Sequence, residues 1–325
     1  MNYSVVIIGL GKIGMFYDFP EKNGKTILSH ARAFSTHPDF NIVGAIDKDP
    51  KKLEDFKNIY KSLAYSDISD LSKIEKIDVV VIATPTKTHL DVLQKVLSNT
   101  NPKLILCEKP LAYNTEEAEE MVMLCEEKRI PIYMNFIRRS DPGIIKVRKQ
   151  IEIENFQLPF KAFAWYSGGL LNNGSHLLDL LILWFGPVQG WQVINSGVKI
   201  NEHDAQPDFL LNFSHGSAFV SNISIGELSH HTVEVLFSNG RLRYEHDGSI
   251  FWQRAEHTSS LDQNKRILKS GKEIEHDMGR YQYNVASQVR DALQSKRHTL
   301  SSGQIGLDHV RLLNHILKYK KEIKI

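Results

Sequence analysis

The fold is decided by Val5-Val6-Ile7-Ile8-Gly9-Leu10-Gly11-Lys12-Ile13-Gly14. Four consecutive apolar residues predict a short strand buried on both faces, as a parallel sheet requires. The glycines that follow suit a tight turn, close approach of a phosphate to the backbone, and close packing of a helix on the strand. Free backbone N–H groups at that helix N-terminus would meet phosphate charge. Three glycines in six residues also make an ordinary surface turn, so the surroundings decide.

Working outward, strand and helix signals alternate. Apolar runs at 42–46, 78–83, 104–107 and 130–136 read as strands, and 31–36, 50–61, 88–98 and 115–128 as amphipathic helices. Asn114, with Glu117 three residues on, predicts a capping box at the start of the last helix. The alternation specifies an α/β chain whose first part is a Rossmann, doubly wound parallel sheet with right-handed crossovers. One departure is the distance from Gly14 to the strand ending at Asp47, longer than a strand–helix–strand unit needs. The excess, 15–29, holds Tyr17, Asp18, Phe19, Pro20 and Asn23-Gly24, and reads as a loop beside the ligand cleft. It either covers the ligand or is a surface insertion.

Beyond Phe136 the rhythm changes. A strand at 159–166 and a helix at 170–185 precede strand segments at 208–214, 217–224, 232–237, 241–245 and 249–254. Asn239-Gly240 and Asp247-Gly248 predict hairpin turns in which both residues take positive φ. Helices at 281–295 and 306–318 follow. The expected division is a dinucleotide-binding domain, 1–136, and an α+β domain with a mainly antiparallel sheet, 137–325.

Composition narrows the class. A chain of 325 residues accommodates two domains, and 42% hydrophobic with 24% charged residues is ordinary for a soluble enzyme. A net charge of +2 argues against nucleic acid or an anionic membrane surface as partner. The longest apolar run, 177–185, is too short for a membrane span and contains Asp179. The first residues lack the basic-then-apolar layout of a signal peptide. Cys107 and Cys125 make neither a disulfide framework nor a metal-ligand spacing. The expectation is a cytoplasmic protein without a metal.

With the strand before it and Asp47 closing the next strand, the glycine turn reads as a dinucleotide site: Gly9, Gly11, Lys12, Ile13 and Gly14. Asp47 would accept hydrogen bonds from both ribose hydroxyls and repel a 2′-phosphate, favouring NAD. Lys48, Lys51 and Lys52 keep NADP open.

About a hundred residues on stands Cys107-Glu108-Lys109-Pro110, just past another apolar run. Open parallel sheets bind ligands at the carboxyl ends of their strands. Lys109 there can hydrogen-bond a substrate oxygen, and partial burial would suit its ammonium to proton transfer. Glu108 can hold that ammonium by charge, and Pro110 fixes the backbone. Elsewhere in a sequence the same tripeptide is a solvated turn. A third stretch runs from Gly168 to Asp179. On an α-helix Asn172, His176 and Asp179 share one face, either lining a polar cleft or as a core histidine satisfied by Asp179.

These residues together resemble the glucose–fructose oxidoreductase / inositol dehydrogenase / MocA (Gfo/Idh/MocA) family. The resemblance is carried by Gly9, Gly11 and Gly14; Ala83-Thr84-Pro85 with His89; and Glu108-Lys109-Pro110-Leu111-Ala112. Asn135 with Arg138-Arg139-Ser140-Asp141-Pro142, the 168–179 stretch, and 232–240 extend it over nearly the whole chain. It implies an open-faced sheet in the second domain, often used for subunit contacts, hence a homodimer or homotetramer. It implies that Thr84, Pro85, His89 and Glu108 belong to the cofactor site. Arg138, Asn172 and Asp179 would join Lys109 and His176 at the substrate. Lys109 and His176 would act on a hydroxyl whose carbon exchanges hydride with the nicotinamide. The chain departs from the family at Asn172, where many members carry Asp; an amide brings no charge to the histidine.

The expected function is hydride transfer between NAD(P) and a sugar, nucleotide sugar or polyol. Two alternatives stand beside it: a ligand-sensing regulator that binds dinucleotide without turnover, and an enzyme that recycles tightly bound NAD in an elimination or epimerisation.

Overall fold

The computed structural model describes residues 2–19, 25–223, 228–257 and 266–319. Two compact units emerge: residues up to Ser140 with Gly279–Arg311, and Asp141–Met278 with the chain from Leu312 on. Residues 279–311, grouped with the second half on sequence, thus pack with the first.

The first unit holds β1 (Tyr3–Ile8), α1 (His30–Thr36), β2 (Phe40–Ile46), α2 (Pro50–Tyr60), β3 (Leu63–Tyr65), β4 (Val79–Ile82), α3 (His89–Asn99), β5 (Leu104–Cys107), α4 (Thr115–Glu127) and β6 (Ile132–Met134). The strands run parallel in the order β6-β5-β4-β1-β2-β3, and Ser301–Ser302 adds an antiparallel edge beside β6. This is the expected doubly wound order, reversing direction between β1 and β4. Consecutive residues of each central strand enter opposite cores. Val5, Val79, Val81, Leu104 and Leu106 pack on one face with α1, α2 and the helix Tyr281–Leu293. Val6, Ile8, Val80, Ile82 and Ile105 pack on the other with α3 and α4. Burial on both faces is why these strands read as unbroken apolar runs. Asn114 caps α4 as expected, its Oδ1 accepting the Glu117 N–H at 2.8 Å.

The second unit begins with α5 (Pro142–Glu152), β7 (Phe160–Tyr166) and α6 (Ser175–Phe185). Its other strands are β8 (Gly190–Asn195), β9 (Asp208–Phe213), β10 (Gly216–Asn222), β11 (Thr232–Phe237), β12 (Gly240–Tyr244), β13 (Ile250–His257), β14 (Arg266–Leu268) and β15 (Lys272–Ile274). They form one sheet in the order β14-β13-β12-β11-β7-β10-β9-β8, with β15 also on β13. Every pairing is antiparallel except β7 with β10. Phe160 of β7 stacks on Phe185 of α6 at 3.7 Å, and Trp184 of α6 donates to the Ile144 carbonyl of α5. The opposite face carries exposed apolar residues, Trp165 and Leu236.

One turn expectation is corrected. Among the described residues neither Asn239, Gly240 nor Asp247 takes positive φ; Gly248 does, at 96°. Register pairs Phe237 with Gly240, so the β11–β12 turn is Ser238-Asn239. The Asn239 side chain is committed elsewhere, accepting from Gln157 N–H and donating to the Asn155 carbonyl. Of the segment 15–29, Pro20 and Asn23-Gly24 lie outside the described residues, as does Ser224 at the end of the expected strand 217–224.

Candidate active site

The glycine turn begins at the carboxyl end of β1. Gly9 takes φ 98°, and a Cβ there would lie 2.6 Å from the Ala83 carbonyl oxygen, which follows β4. A Cβ on Gly14 would collide with the Gly9 carbonyl at 2.0 Å. A Cβ on Gly11 would meet nothing within 4 Å. Two glycines thus close the turn, and the third leaves open space over its backbone, the cradle a pyrophosphate needs. Lys12 is exposed beside it and Ile13 half-buried.

The helix after the turn is interrupted. Met15 and Tyr17 donate to the Gly11 and Lys12 carbonyls, as in a starting helix, before the chain leaves. It returns at Ser29, and the His30 and Ala31 N–H groups bond to the Ile13 and Gly14 carbonyls, both at 2.9 Å. The extra segment is spliced into the first helical turn. Asp18 closes the splice: its carboxylate accepts the N–H groups of Leu28 (2.7 Å) and Ser29 (3.0 Å) and the Ser29 hydroxyl (2.6 Å).

Asp47 follows β2, with Oδ2 accepting the Leu10 N–H at 2.7 Å and Oδ1 the Asp49 N–H at 2.9 Å. Lys52 Nζ lies 3.6 Å from Oδ2. The carboxylate therefore braces the glycine turn and keeps lone pairs to spare. Thr84, half-buried, and Pro85, exposed, follow β4. His89 is placed differently from a direct cofactor contact. Its ring is buried, Nε2 2.9 Å from the Thr84 carbonyl and Nδ1 3.1 Å from the Leu111 carbonyl. It ties the turn after β4 to the turn after β5. Burial lowers its pKa, so the neutral ring donates to only one carbonyl at a time.

Glu108 and Lys109 follow β5, and Lys109–Pro110 is a cis peptide bond. Glu108 Oε1 accepts from His30 Nε2 at 2.8 Å and Asn135 Nδ2 at 2.6 Å; Asn135 also donates to Gln282 Oε1 at 3.3 Å. Burial opposes the Glu108 charge, but His30, Asn135 and the Lys109 ammonium hold its carboxyl below the usual range. His30 and Gln282 escaped sequence reasoning. The inserted segment separates His30 from the glycine turn, and Gln282 comes from a distant helix.

Asn172, His176 and Asp179 belong to the second unit. Residues Leu170–Gly174 form a π-helical turn that leads into α6. Asn172 sits inside that wide turn, which corrects the expected α-helical spacing from Asn172 to His176. Asn172 is exposed, His176 half-buried and Asp179 buried. Arg138 is half-buried in the first unit. Tyr166 is a core residue donating to the Pro207 carbonyl, and Trp165 stands on the outer sheet face.

A glycine turn open over Gly11, a carboxylate bracing it and a Glu-Lys pair all stand at strand carboxyl ends of one doubly wound sheet, the end at which such sheets bind ligands. Residues 3–136 match the profile of GFO_IDH_MocA, described as an oxidoreductase family with an NAD-binding Rossmann fold. Over these residues the chain is similar to the NAD-binding fold of that family.

Among curated proteins the chain is similar to an inositol 2-dehydrogenase of Rhizobium meliloti (strain 1021), 29% identical over 146 residues, 45% of this chain and 39% of that protein. It is also similar to a UDP-N-acetylglucosamine 3-dehydrogenase of Acidithiobacillus ferrooxidans, 25% identical over 187 residues, 55% of this chain and 53% of that protein. The match thus spans well under two thirds of either relative. Over 98% of this chain and 97% of the other, the fold is that of the WlbA dehydrogenase from Bordetella pertussis, crystallised with NADH and UDP-GlcNAcA, at TM-score 0.73 and 18% identity. Among the described residues no helix is long and apolar enough to cross a membrane.

Proposed function

We propose that the protein is an NAD(P)-dependent oxidoreductase acting on a hydroxyl-bearing carbon of a sugar, polyol or nucleotide sugar. The observation that carries this is the first unit's arrangement. An open glycine turn after β1 and an oriented Glu108-Lys109 after β5 lie on the same edge of one sheet. Relatives named for inositol and UDP-sugar dehydrogenation support the substrate class.

In this reading the backbone from Gly9 to Gly14 binds the pyrophosphate and Asp47 accepts the ribose hydroxyls. When bound, the dinucleotide supplies the hydride acceptor or donor. Lys109 holds the substrate oxygen through its ammonium, and His176 takes the hydroxyl proton on oxidation or returns it on reduction. Glu108, fixed by His30 and Asn135, keeps a negative charge next to Lys109. Self-association as a homodimer or homotetramer is part of the proposal, supported by exposed Trp165 and Leu236 on the open face of the second sheet.

The test is incubation of the pure protein with NAD⁺ or NADP⁺ and either myo-inositol or UDP-N-acetylglucosamine, following absorbance of the reduced cofactor. Lys109→Met and His176→Ala should each lose at least about 100-fold in turnover with NADH affinity retained. Turnover undiminished in Lys109→Met would overturn the assignment. The uncharged Asn172 favours one rival, a dinucleotide-binding regulator. It predicts NADH binding without turnover, and indifference to both substitutions.

A further inference from the structure

The π turn that leads into α6 has no cap of its own. Gly169 precedes it and Gly174 precedes α6, and neither end is capped by a side chain of its own N-cap residue. The missing acceptor arrives from elsewhere. Asp204 lies on the segment between β8 and β9, 7% exposed, and its Oδ1 accepts the N–H groups of Leu171 and Ala205, both at 2.9 Å. Its Oδ2 accepts the Asn172 N–H at 3.3 Å. The backbone repeats the link, with Leu170 N–H on the Ala205 carbonyl at 2.9 Å.

The carboxylate is itself held. Asn201 Oδ1 accepts the N–H groups of His203 (2.8 Å) and Asp204 (2.9 Å), and the Asp204 carbonyl accepts from Ile200 at 2.9 Å. No Lys, Arg or His pairs with Asp204 among the described residues; backbone N–H groups alone meet its charge. Gly169 is its steric counterpart. At φ 97° it turns the chain so that a Cβ would lie 2.1 Å from Asp204 Oδ2. Any side chain at 169 would displace the carboxylate from the turn.

We propose that Asp204 is a positioning residue for His176, acting as a cap supplied from a distant loop that holds the wide turn open. The wide spacing shows in the bonds from Gly174 N–H to the Gly169 carbonyl (3.0 Å) and from Ser175 N–H to Leu170. Such single π turns are rare and recur at functional sites. With the carboxylate gone, the Leu171 and Asn172 N–H groups lose their acceptor and the turn relaxes toward α spacing. Asn172 and the start of α6 then rotate, and the His176 ring moves with them. The inference rests on the reading of His176 as the proton-handling group.

The experiment uses the full chain with Asp204→Ala and Asp204→Asn. Hydrogen–deuterium exchange is read peptide by peptide, and the His176 ring signal by NMR. Turnover with NAD⁺ and myo-inositol or UDP-N-acetylglucosamine and NADH affinity by fluorescence complete the set. Amides of 170–176 should exchange at least about tenfold faster in Asp204→Ala and less so in Asp204→Asn, which keeps one acceptor oxygen. The peptide 104–112 should not change, the His176 signal should shift, and kcat should fall ~100-fold at unchanged NADH affinity.

Unchanged exchange at 170–176, or an unmoved His176 signal, overturns the proposal, and neither measurement requires turnover. Faster exchange with undiminished kcat overturns it too. If His176→Ala keeps its turnover, the reading of His176 fails separately, and exchange still decides whether Asp204 holds the turn. Should Asp204→Ala not fold, Gly169→Ala must reproduce the same exchange signature, because its Cβ drives the carboxylate away.

Discussion

His30 Nε2 and Glu108 Oε1 lie 2.8 Å apart in the first unit, the histidine ring fully buried and the carboxylate nearly so. A buried carboxylate survives only if hydrogen bonds outweigh its lost hydration. Here two donors converge on one oxygen, from His30 and Asn135. With Asn135 the pair connects three segments, since His30 opens α1, Glu108 follows β5 and Asn135 follows β6.

His30→Ala should therefore destabilise the first unit by about 2–3 kcal/mol, the range for losing a hydrogen bond to a buried charge. Its acid sensitivity should weaken as well. The folded-state pKa of Glu108 is held down, so its stabilisation is present above the usual carboxylate range and disappears as pH falls through the lowered value. Urea unfolding at neutral pH and near pH 4 measures both effects. An unchanged midpoint would show that the pair contributes nothing.

Asp47 carries the second prediction. In the proposed cofactor site its charge would repel an adenosine 2′-phosphate, with Lys52 3.6 Å away and Lys48 and Lys51 near in sequence. Replacing it with serine removes the repulsion and leaves the ammonium groups. NADP⁺ affinity relative to NAD⁺ should rise ~10-fold, the effect of about 1.4 kcal/mol of like-charge repulsion. Ratios of cofactor dissociation constants for Asp47→Ser and the parent protein check it. A ratio that stays put removes Asp47 from cofactor choice.

How much of this was readable beforehand follows from where each constraint is written. The central strands were legible because burial on both faces leaves no position for a polar residue between Val79 and Ile82. The glycine turn and Glu108-Lys109 were legible because each is a contiguous motif next to such a strand. Leu63–Tyr65 was missed, having three residues with Leu63 exposed, too little for a period. The π turn was invisible because Leu170–Gly174 has the residue types of an ordinary helix start. What widens it is Asp204, more than thirty residues away and unmarked by local pattern. His30 was hidden in the same way, its contact with Glu108 depending on a splice that returns the chain to the glycine turn.

Asp78 gives a stability prediction at the amino ends of three strands. Its side chain is 1% exposed, accepts the Ser4 N–H at 2.9 Å, and meets Lys103 at 3.0 Å and Lys76 at 3.5 Å. Burial alone would raise its pKa, but the Ser4 bond and the two ammonium groups bring it below the ordinary value. Both lysines are well exposed, so most of the gain belongs to the backbone bond. Asp78→Ala should cost about 2 kcal/mol at neutral pH by orphaning the Ser4 N–H. The difference from the parent should shrink as pH falls through the lowered Asp78 pKa, where the parent loses the same contribution. Unfolding free energies that stay parallel down to pH 2 would refute this.

His309, on the helix Gly303–Lys318, supplies a pH signature of the same sign in a higher pH window. Its ring is buried edge-on to Phe136 at 5.0 Å, and burial with the nearby Arg139 guanidinium pushes its pKa down to about 3. The unfolded chain takes up a proton near pH 6.5 that the folded one refuses, so stability falls as pH drops below that value. The slope from this one group approaches about 1.4 kcal/mol per pH unit, or about 2 kcal/mol by pH 5. His309→Gln has nothing to titrate there. It should lose some stability at pH 8 from imperfect packing, yet narrow that deficit by about 2 kcal/mol on going to pH 5. Unfolding free energies of parent and variant measured between those two pH values decide it: a deficit that stays constant means the parent's acid sensitivity has another source.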